Sequence, residues 1–314
     1  MPPVIAVTIG DPAGIGPEII AKVFSKKTVH QYAHYIIVGH RKFIKNSDHL
    51  RNIQIIEPRN STAEVVPKGK PSKQSGLLSY NYILTAHELI KSGQADAMLT
   101  APVSKTAWQL AGINVTGHTE LLAKLEHLNP SKVTMCMFNR YYKTVMVTRH
   151  IATKNVASAL SVNKILDTIT TAYSLMKTHF GNNSPRIGVC GLNPHCGDNG
   201  LIGTEEKNII LPAVRLARKH GLNAEGPLPA DAMFSSSSRS KFDIIVTMYH
   251  DQAMLPLKLT GYNSIVNYTY GLPYIRTSPG HGTAYDITGR GIADTGCLME
   301  ALKFAVYALH KKGK

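Results

Sequence analysis

A chain of 314 residues, 43% of them hydrophobic and 18% charged, can bury a large core and is too ordinary in composition for a disordered or fibrous protein. No apolar run approaches the roughly 20 residues that span a bilayer, and the start Met1-Pro2-Pro3-Val4 lacks the basic opening and apolar stretch of a secretion signal, so a cytoplasmic protein without membrane contact is expected. The net charge of +15 is spread over short pairs such as Lys26-Lys27 and Arg41-Lys42 and the tail Lys311-Lys312-Gly313-Lys314, with no aromatic RNA-binding signature or helix-turn-helix pattern, so an anionic small substrate is expected and no nucleic acid.

Strand-like and helical segments alternate along the chain, which predicts an α/β sheet with helices packed on its faces. "VIAVTIG" (4–10) is an apolar strand entering the glycine-rich turn "GDPAGIGPEII", and "HYIIVG" (34–39) and "IQIIEP" (53–58) are the next strands. Residues 76–91 have helical spacing and stop at Gly93, a C-cap residue. "ADAMLTAP" is a strand, and "SKTAWQLAG" a short helix ended by Gly112. Residues 132–150 read as two antiparallel strands around a turn at Asn139-Arg140, followed by one long helix over 156–180. "RIGVCGLNPH" (186–195) is a strand running into polar residues, and 205–221 a helix that Pro212 kinks or breaks early. Residues 235–238 are a serine loop, 243–249 a strand, and Thr295 to Leu309 the last helix. The expectation is a single two-lobed catalytic unit over 1–314, the termini with the C-terminal part in one lobe and the central part in the other. Cys136, Cys190, Cys196 and Cys297 show no C-x-x-C pairing, which indicates reduced thiols and neither a zinc knuckle nor a disulfide framework.

His150, His195 and His250 each lie just past the apolar part of a predicted strand. In open α/β sheets that edge is where ligands bind, and three imidazoles converging there would hold a divalent metal with positions left for water or substrate. Chance alone also places some of the 14 histidines near strand ends, as surface or hydrogen-bonded groups. Asp251, next to His250, is suited to orient an imidazole, bind the metal or accept a proton.

"GDPAGIGPE" is neither G-x-G-x-x-G nor followed by G-K-[ST], which excludes the Rossmann fingerprint and the P-loop. Pro17 suits a first helical position and Glu18 a first turn. In "TGHTELL" the backbone ahead of a helix, with the Thr119 hydroxyl, makes either a phosphate seat or a plain N-cap at Thr119 or Thr116.

"HGTAYDITGRGIAD" (281–294) is too polar and irregular for a core element, and it resembles the adenosine-binding loop of the isocitrate and isopropylmalate dehydrogenases, which hold NAD(P) without a Rossmann fold. The ordered set "TIGDPAGIGPE", "TGHTELL", "NPHCGDNGLIGTEE", "PADAMF", "MYHDQ", "PLKL", "VNYTYGLPYIRTS" and "HGTAYDITG" resembles, from about residue 4 to 300, the 4-hydroxythreonine-4-phosphate dehydrogenase family of pyridoxal phosphate synthesis. The resemblance implies an isopropylmalate-dehydrogenase-like fold of two α/β lobes with an active-site cleft between them, and a homodimer with shared active sites. It implies one divalent metal (zinc, magnesium or cobalt) on His150, His195 and His250, and NAD or NADP on His281, Gly282, Thr283, Ala284 and Asp286. Substrate contacts fall on His118, Thr119, Lys258, Asn267 and Arg276, and two cations and an amide suit a phosphate and a carboxylate. Asp231, Asp251 and Lys258 are the candidates for proton transfer.

The implied reaction oxidises the C3 hydroxyl of 4-phosphooxy-L-threonine and decarboxylates the β-keto acid to 3-amino-2-oxopropyl phosphate. "PLKLTGY" also resembles a sister group that oxidises 4-phospho-D-threonate. Three positions depart from the family pattern: Gly280 for an Asp before "HGTA", Ala253-Met254 for Gly-Leu, and Arg149 for a small polar residue. A metal-dependent hydrolase would use the same three histidines but has no need of the 281–289 loop.

Overall fold

In a computed structural model of the protein, residues 2–45, 50, 53–59, 65–129 and 132–312 are described. The chain opens with β1 (Val4–Thr8), a glycine-rich turn and α1 (Gly16–Phe24), whose first turn holds Pro17 and Glu18 as the sequence predicts. Gly10 is required at its position: φ is +70°, and a Cβ would lie 2.4 Å from the Pro102 carbonyl oxygen. Strands β2 (His34–Val38) and β3 (Gln54–Ile56) follow. Helix α2 (Lys73–Lys91) starts three residues earlier than its apolar spacing suggests, because Ser72 and Ser75 form a reciprocal capping box. Then come β4 (Ala97–Thr100), α3 (Lys105–Leu110) and α4 (His118–Leu125).

The chain continues with the antiparallel pair β5 (Thr134–Phe138) and β6 (Lys143–Met146). Their turn is held by the Asn139 carboxamide oxygen, which accepts from the Tyr141 and Tyr142 amides. The helix expected over 156–180 is two pieces, α5 (Val156–Ala159) and α6 (Val162–Phe180), since Leu160 is extended and Ser161 starts a new helix by accepting from the Lys164 amide. After β7 (Ile187–Cys190), residues 206–210 form a π-helical turn and α7 (Leu211–Lys219) follows with Pro212 in its first turn, where no intrahelical N–H is needed. Strand β8 (Ala224–Leu228), helix α8 (Ala230–Met233), strand β9 (Ile244–Thr247) and helix α9 (His250–Gly261) come next. The chain ends with β10 (Val266–Tyr270), β11 (Ile275–Pro279) and α10 (Gly296–Lys312). Gly313 and Lys314 of the basic tail lie outside the described residues.

Two compact units divide the chain, one of Met1–Val133 with Asn263–Gly313, the other of Thr134–Tyr262. The first has strand order β3-β2-β1-β4-β11-β10, parallel except for the β10–β11 pair. Its central strands carry Ile5, Ala6, Val7, Ala97, Met98 and Leu99, all fully buried, which is the continuous apolar run of a sheet covered on both faces. The second has order β5-β6-β9-β7-β8, parallel except for β5–β6. Helix α6 buries Ile165, Ile169, Ala172 and Met176 at alternating spacings of four and three, each large side chain stabilising the unit by roughly 1.5–3 kcal/mol. Among the described residues no helix is long and apolar enough to cross a membrane.

Candidate active site

In the first unit the strand order reverses between β1 and β4, and the carboxyl ends of those strands are where an open α/β sheet takes its ligand. Thr8 and Thr100 are register partners at those ends. Arg276 on β11 sits beside them, 1% exposed, donating from Nη2 to Thr100 Oγ1 at 2.6 Å and from Nη1 to Thr269 Oγ1 at 2.9 Å. Asn267 shares the Thr269 face of β10 by strand alternation. His118, at the start of α4, is half-buried with its Nε2 covered, and stands close enough for Arg276 and Lys105 to act on it.

Among the described residues, four buried polar atoms here have no hydrogen-bond partner: Thr8 Oγ1, His118 Nε2, Asn267 Oδ1 and Arg276 Nε. Buried polar atoms without a partner call for an explanation, and a ligand bound at these strand ends would supply one. Among the described residues no carboxylate is within ion-pair distance of Arg276, whose pKa is pulled down to about 10 by burial, offset in part by Tyr274 and Glu120. It is still a cation at neutral pH. Burial, then the charges of Arg276 and Lys105, hold the His118 imidazole neutral, its pKa well below the usual range. Gly117 is the N-cap residue of α4, so neither Thr116 nor Thr119 caps it. Thr119 is buried in its first turn.

Residues 281–288 are tied to the first glycine turn. Ile15 N–H donates to the Thr283 carbonyl at 3.0 Å, and Tyr285 Oη donates to Asp11 Oδ2 at 2.7 Å. Asp11 is fully buried and also accepts from Ala13 N–H and Ser75 Oγ. Burial raises its carboxyl pKa, and these hydrogen bonds only partly counter that. His281, Thr283 and Ala284 of the loop are half-buried, Gly282 and Asp286 exposed. The glycine turn fixes the loop; its own Gly14 and Ile15 amides are spent on Asp11 and Thr283.

In the second unit β6, β9 and β7 are adjacent and parallel, so His150, His195 and His250 all follow carboxyl ends on one edge of the sheet. His150 and His250 face each other with ring centroids 5.8 Å apart. Gln252 links β9 to β7, its Oε1 accepting from Met248 N–H and its Nε2 donating to the Gly191 carbonyl. His195 lies on a left-handed turn, with positive φ at every residue of 195–199. The buried Glu206 carboxylate braces its start by accepting from the Leu192 and Asn193 amides at 2.8 and 2.7 Å. Asp231 lies close enough to the adjacent Cys196 thiol to raise its pKa, after burial and Glu206. Among the described residues no three His, Cys, Asp or Glu side chains stand close enough to hold one ion. His250 Nδ1 is 2.7 Å from Asp251 Oδ1, and Asp251 and Lys258 are exposed on α9.

Asp11, Thr100, Thr269, Glu206 and Gln252 support these clusters and carry no sequence signature beyond a polar residue near a strand end. Arg276 in the apolar run "LPYIRTS" is the one such signal that a single strand announces.

The two α/β units define an isocitrate-dehydrogenase-like fold class. Isocitrate dehydrogenase from Methylococcus capsulatus shares the fold at a TM-score of 0.53 with 12% identity, over 99% of this chain and 86% of that one. The family described as pyridoxal phosphate biosynthetic protein PdxA matches residues 17–305, and the chain belongs to it. A 4-hydroxythreonine-4-phosphate dehydrogenase from Desulforapulum autotrophicum is 39% identical over 96% of this chain and 94% of its own. A D-threonate 4-phosphate dehydrogenase from Salmonella typhimurium is 38% identical over 96% and 98%. The crystal structure of a 4-hydroxythreonine-4-phosphate dehydrogenase from Klebsiella pneumoniae matches at a TM-score of 0.84 with 35% identity, over 98% of this chain and 99% of that one. The protein is therefore an enzyme, an oxidoreductase of the pyridoxine-biosynthetic family.

Proposed function

We propose that the protein is a cytoplasmic enzyme that oxidises the C3 hydroxyl of 4-phosphooxy-L-threonine with NAD+ or NADP+ and decarboxylates the product to 3-amino-2-oxopropyl phosphate for pyridoxal 5′-phosphate synthesis. The observation that carries this is Arg276, a buried guanidinium with hydroxyl partners and no carboxylate, ringed by orphaned polar atoms. A buried cation of that kind is completed by a ligand anion. A substrate with a phosphate and a carboxylate supplies two. Arg276, Asn267, Thr119 and a neutral His118 bind and orient it, with Lys258 as the second cation.

Among the described residues no three donors stand within reach of one ion, but the imidazoles of the second unit are of a type that suits a divalent metal. Two imidazoles on one tetrahedral ion have ring centres roughly 5 Å apart, near the 5.8 Å of His150 and His250. A metal held by His150, His195 and His250 would supply the Lewis acidity that favours loss of the hydroxyl proton and draws electrons toward the new carbonyl as CO2 leaves. A nicotinamide cofactor held by the loop that includes His281, Gly282, Thr283, Ala284 and Asp286 would supply the hydride acceptor. On this reading Asp251 and Asp231 are the candidates to accept the hydroxyl proton, and Lys258 the candidate donor to carbon after decarboxylation. On this reading the 314 residues form one catalytic unit.

A homodimer with shared active sites accompanies this reading. Asp251, Leu255, Lys258 and Leu259 fall on one exposed stripe of α9, with Tyr262 just past its end; Leu255 is 61%, Leu259 85% and Tyr262 67% exposed. That stripe mixes candidate catalytic residues with uncovered apolar ones.

A second reading is favoured by the D-threonate 4-phosphate dehydrogenase from Salmonella typhimurium, as similar to this chain as the first group. With a C2 hydroxyl in place of the amine, the same steps give dihydroxyacetone phosphate. The test is to mix the protein with a divalent metal, NAD+ or NADP+, and each substrate in turn. Absorbance rising at about 340 nm with one of them identifies it. No rise with either substrate and either cofactor overturns the dehydrogenase assignment.

A further inference from the structure

We propose that Thr8 is a further substrate-binding residue, its hydroxyl donating to the same anionic group of the substrate that Arg276 takes. This rests on the substrate reading above and deepens it. Thr8 is the last residue of β1 and fully buried, and among the described residues its Oγ1 has no hydrogen-bond partner. A buried hydroxyl left unpaired costs free energy that a methyl group of the same shape does not.

Strand register shows what the hydroxyl stands beside. Thr8 pairs with Thr100 across β1 and β4, and Asn267 pairs with Ser278 across β10 and β11. Thr277 pairs with Leu99, so Ser278 and Thr100 are the next pair along β11 and β4. Asn267, Ser278, Thr100 and Thr8 therefore form one line across four neighbouring strands, roughly 14 Å long at about 4.8 Å per strand. Register partners share a face of the sheet. Thr277, on the other face, donates to the Ala301 carbonyl of α10, so the line looks away from that helix. Two residues earlier on the same face, the pair across β1 and β4 is Ala6 and Met98, both apolar and fully buried. The polarity begins only at the carboxyl ends.

The two ends of the line lack opposite things. Asn267 Oδ1 is an acceptor without a donor, whereas Arg276 Nε, one pair back from the line, is a donor without an acceptor. Thr100 Oγ1 accepts from Arg276 Nη2 at 2.6 Å, which brings the guanidinium to the strand next to Thr8. An anion at that end receives charge-assisted bonds from Arg276 and a second donor, Thr8, from a neighbouring strand. An amine or hydroxyl of the ligand suits the Asn267 end. Both 4-phosphooxy-L-threonine and 4-phospho-D-threonate carry such a donor together with anionic groups.

Calorimetric titration of the full-length protein, with divalent metal present and the nicotinamide cofactor left out, reads binding without turnover. Thr8→Val is expected to bind both substrates at least about tenfold more weakly, and Thr8→Ser to stay within about threefold of the unaltered protein. Ligand-free Thr8→Val is expected to melt no lower than the unaltered protein, because Oγ1 serves nothing within the chain. Inorganic phosphate as a third titrant identifies the anion. A matching loss with it assigns Thr8 to the phosphate, and a loss confined to the two substrates assigns Thr8 to the carboxylate. Unchanged affinity for both substrates in Thr8→Val, or a loss that Thr8→Ser shares, overturns the proposal while leaving the substrate reading intact. Failure of the unaltered protein to bind either substrate overturns that reading and the Thr8 assignment together.

Discussion

Gly280 has no side chain because Ile265 fills the place where one would go. A Cβ at 280 would stand 2.3 Å from Ile265 Cγ2 and 2.6 Å from its Cβ. The Asp that the family resemblance leads one to expect there is replaced by an apolar contact, a trade invisible in either residue alone. Gly280→Asp should cost about 1–3 kcal/mol by overpacking. Gly280→Asp/Ile265→Ala should cost less than the two single changes summed. Urea denaturation of the three variants checks this, and additive costs would show that the two side chains do not compete. A pH effect belongs to His118, whose folded pKa is depressed by burial and by Arg276 and Lys105. Below about 6.5 the unfolded chain takes up a proton there that the folded chain refuses, so stability falls as pH drops through that value. His118→Gln should therefore show a shallower loss of melting temperature between pH 7.5 and 5.5. An identical slope would mean that His118 titrates freely in the folded protein.

Elements were legible where local chemistry and apolar spacing agree. The turn at Asn139 and the stop at Gly93 follow from single residues whose preferences nothing overrides. The long helix over 156–180 misled because Leu160-Ser161 interrupts it without a Gly or Pro, the cap being a hydroxyl that spacing ignores. Strand β8 and helix α9 were not legible at all. Gly226 and Pro227 disguise the strand, which tolerates them as the edge of its sheet, and Pro256 disguises the helix. His250 is accordingly the first residue of a helix three residues beyond β9, so Asp251 and Gln252 point from a helical turn. In the left-handed run at 195–199, Gly197, Asp198, Asn199 and His195 are residue types that tolerate positive φ, and Cys196 is not. The run stands because Glu206 spends its carboxylate on the amides just before it. Ser161→Ala should lower stability by about 1 kcal/mol, and Ser161→Asp should preserve it, since either oxygen can accept from the Lys164 amide. Equal losses in the two variants, measured by thermal melts, would show that α6 does not depend on its cap.

At the scale of the whole molecule, the α/β class was legible from alternating strands and helices. What no single-chain pattern discloses is which surface a second copy covers. Leu259 is the most exposed large residue of the α9 stripe, one position from Lys258 and eight from Asp251. If that stripe is where two protomers meet, a carboxylate at 259 is desolvated without a partner at the centre of the contact, which costs several kcal/mol. Leu259→Glu should then sediment as a monomer at concentrations where the unaltered protein is a dimer. Its far-ultraviolet dichroism should not change, because Leu259 supports nothing within its own chain. Turnover should fall by roughly 100-fold or more if the active sites are shared, and part of it should return as protein concentration rises and mass action restores the contact. A dimeric Leu259→Glu with full turnover would place the interface elsewhere. A monomeric one with full turnover would show that each chain completes its own active site.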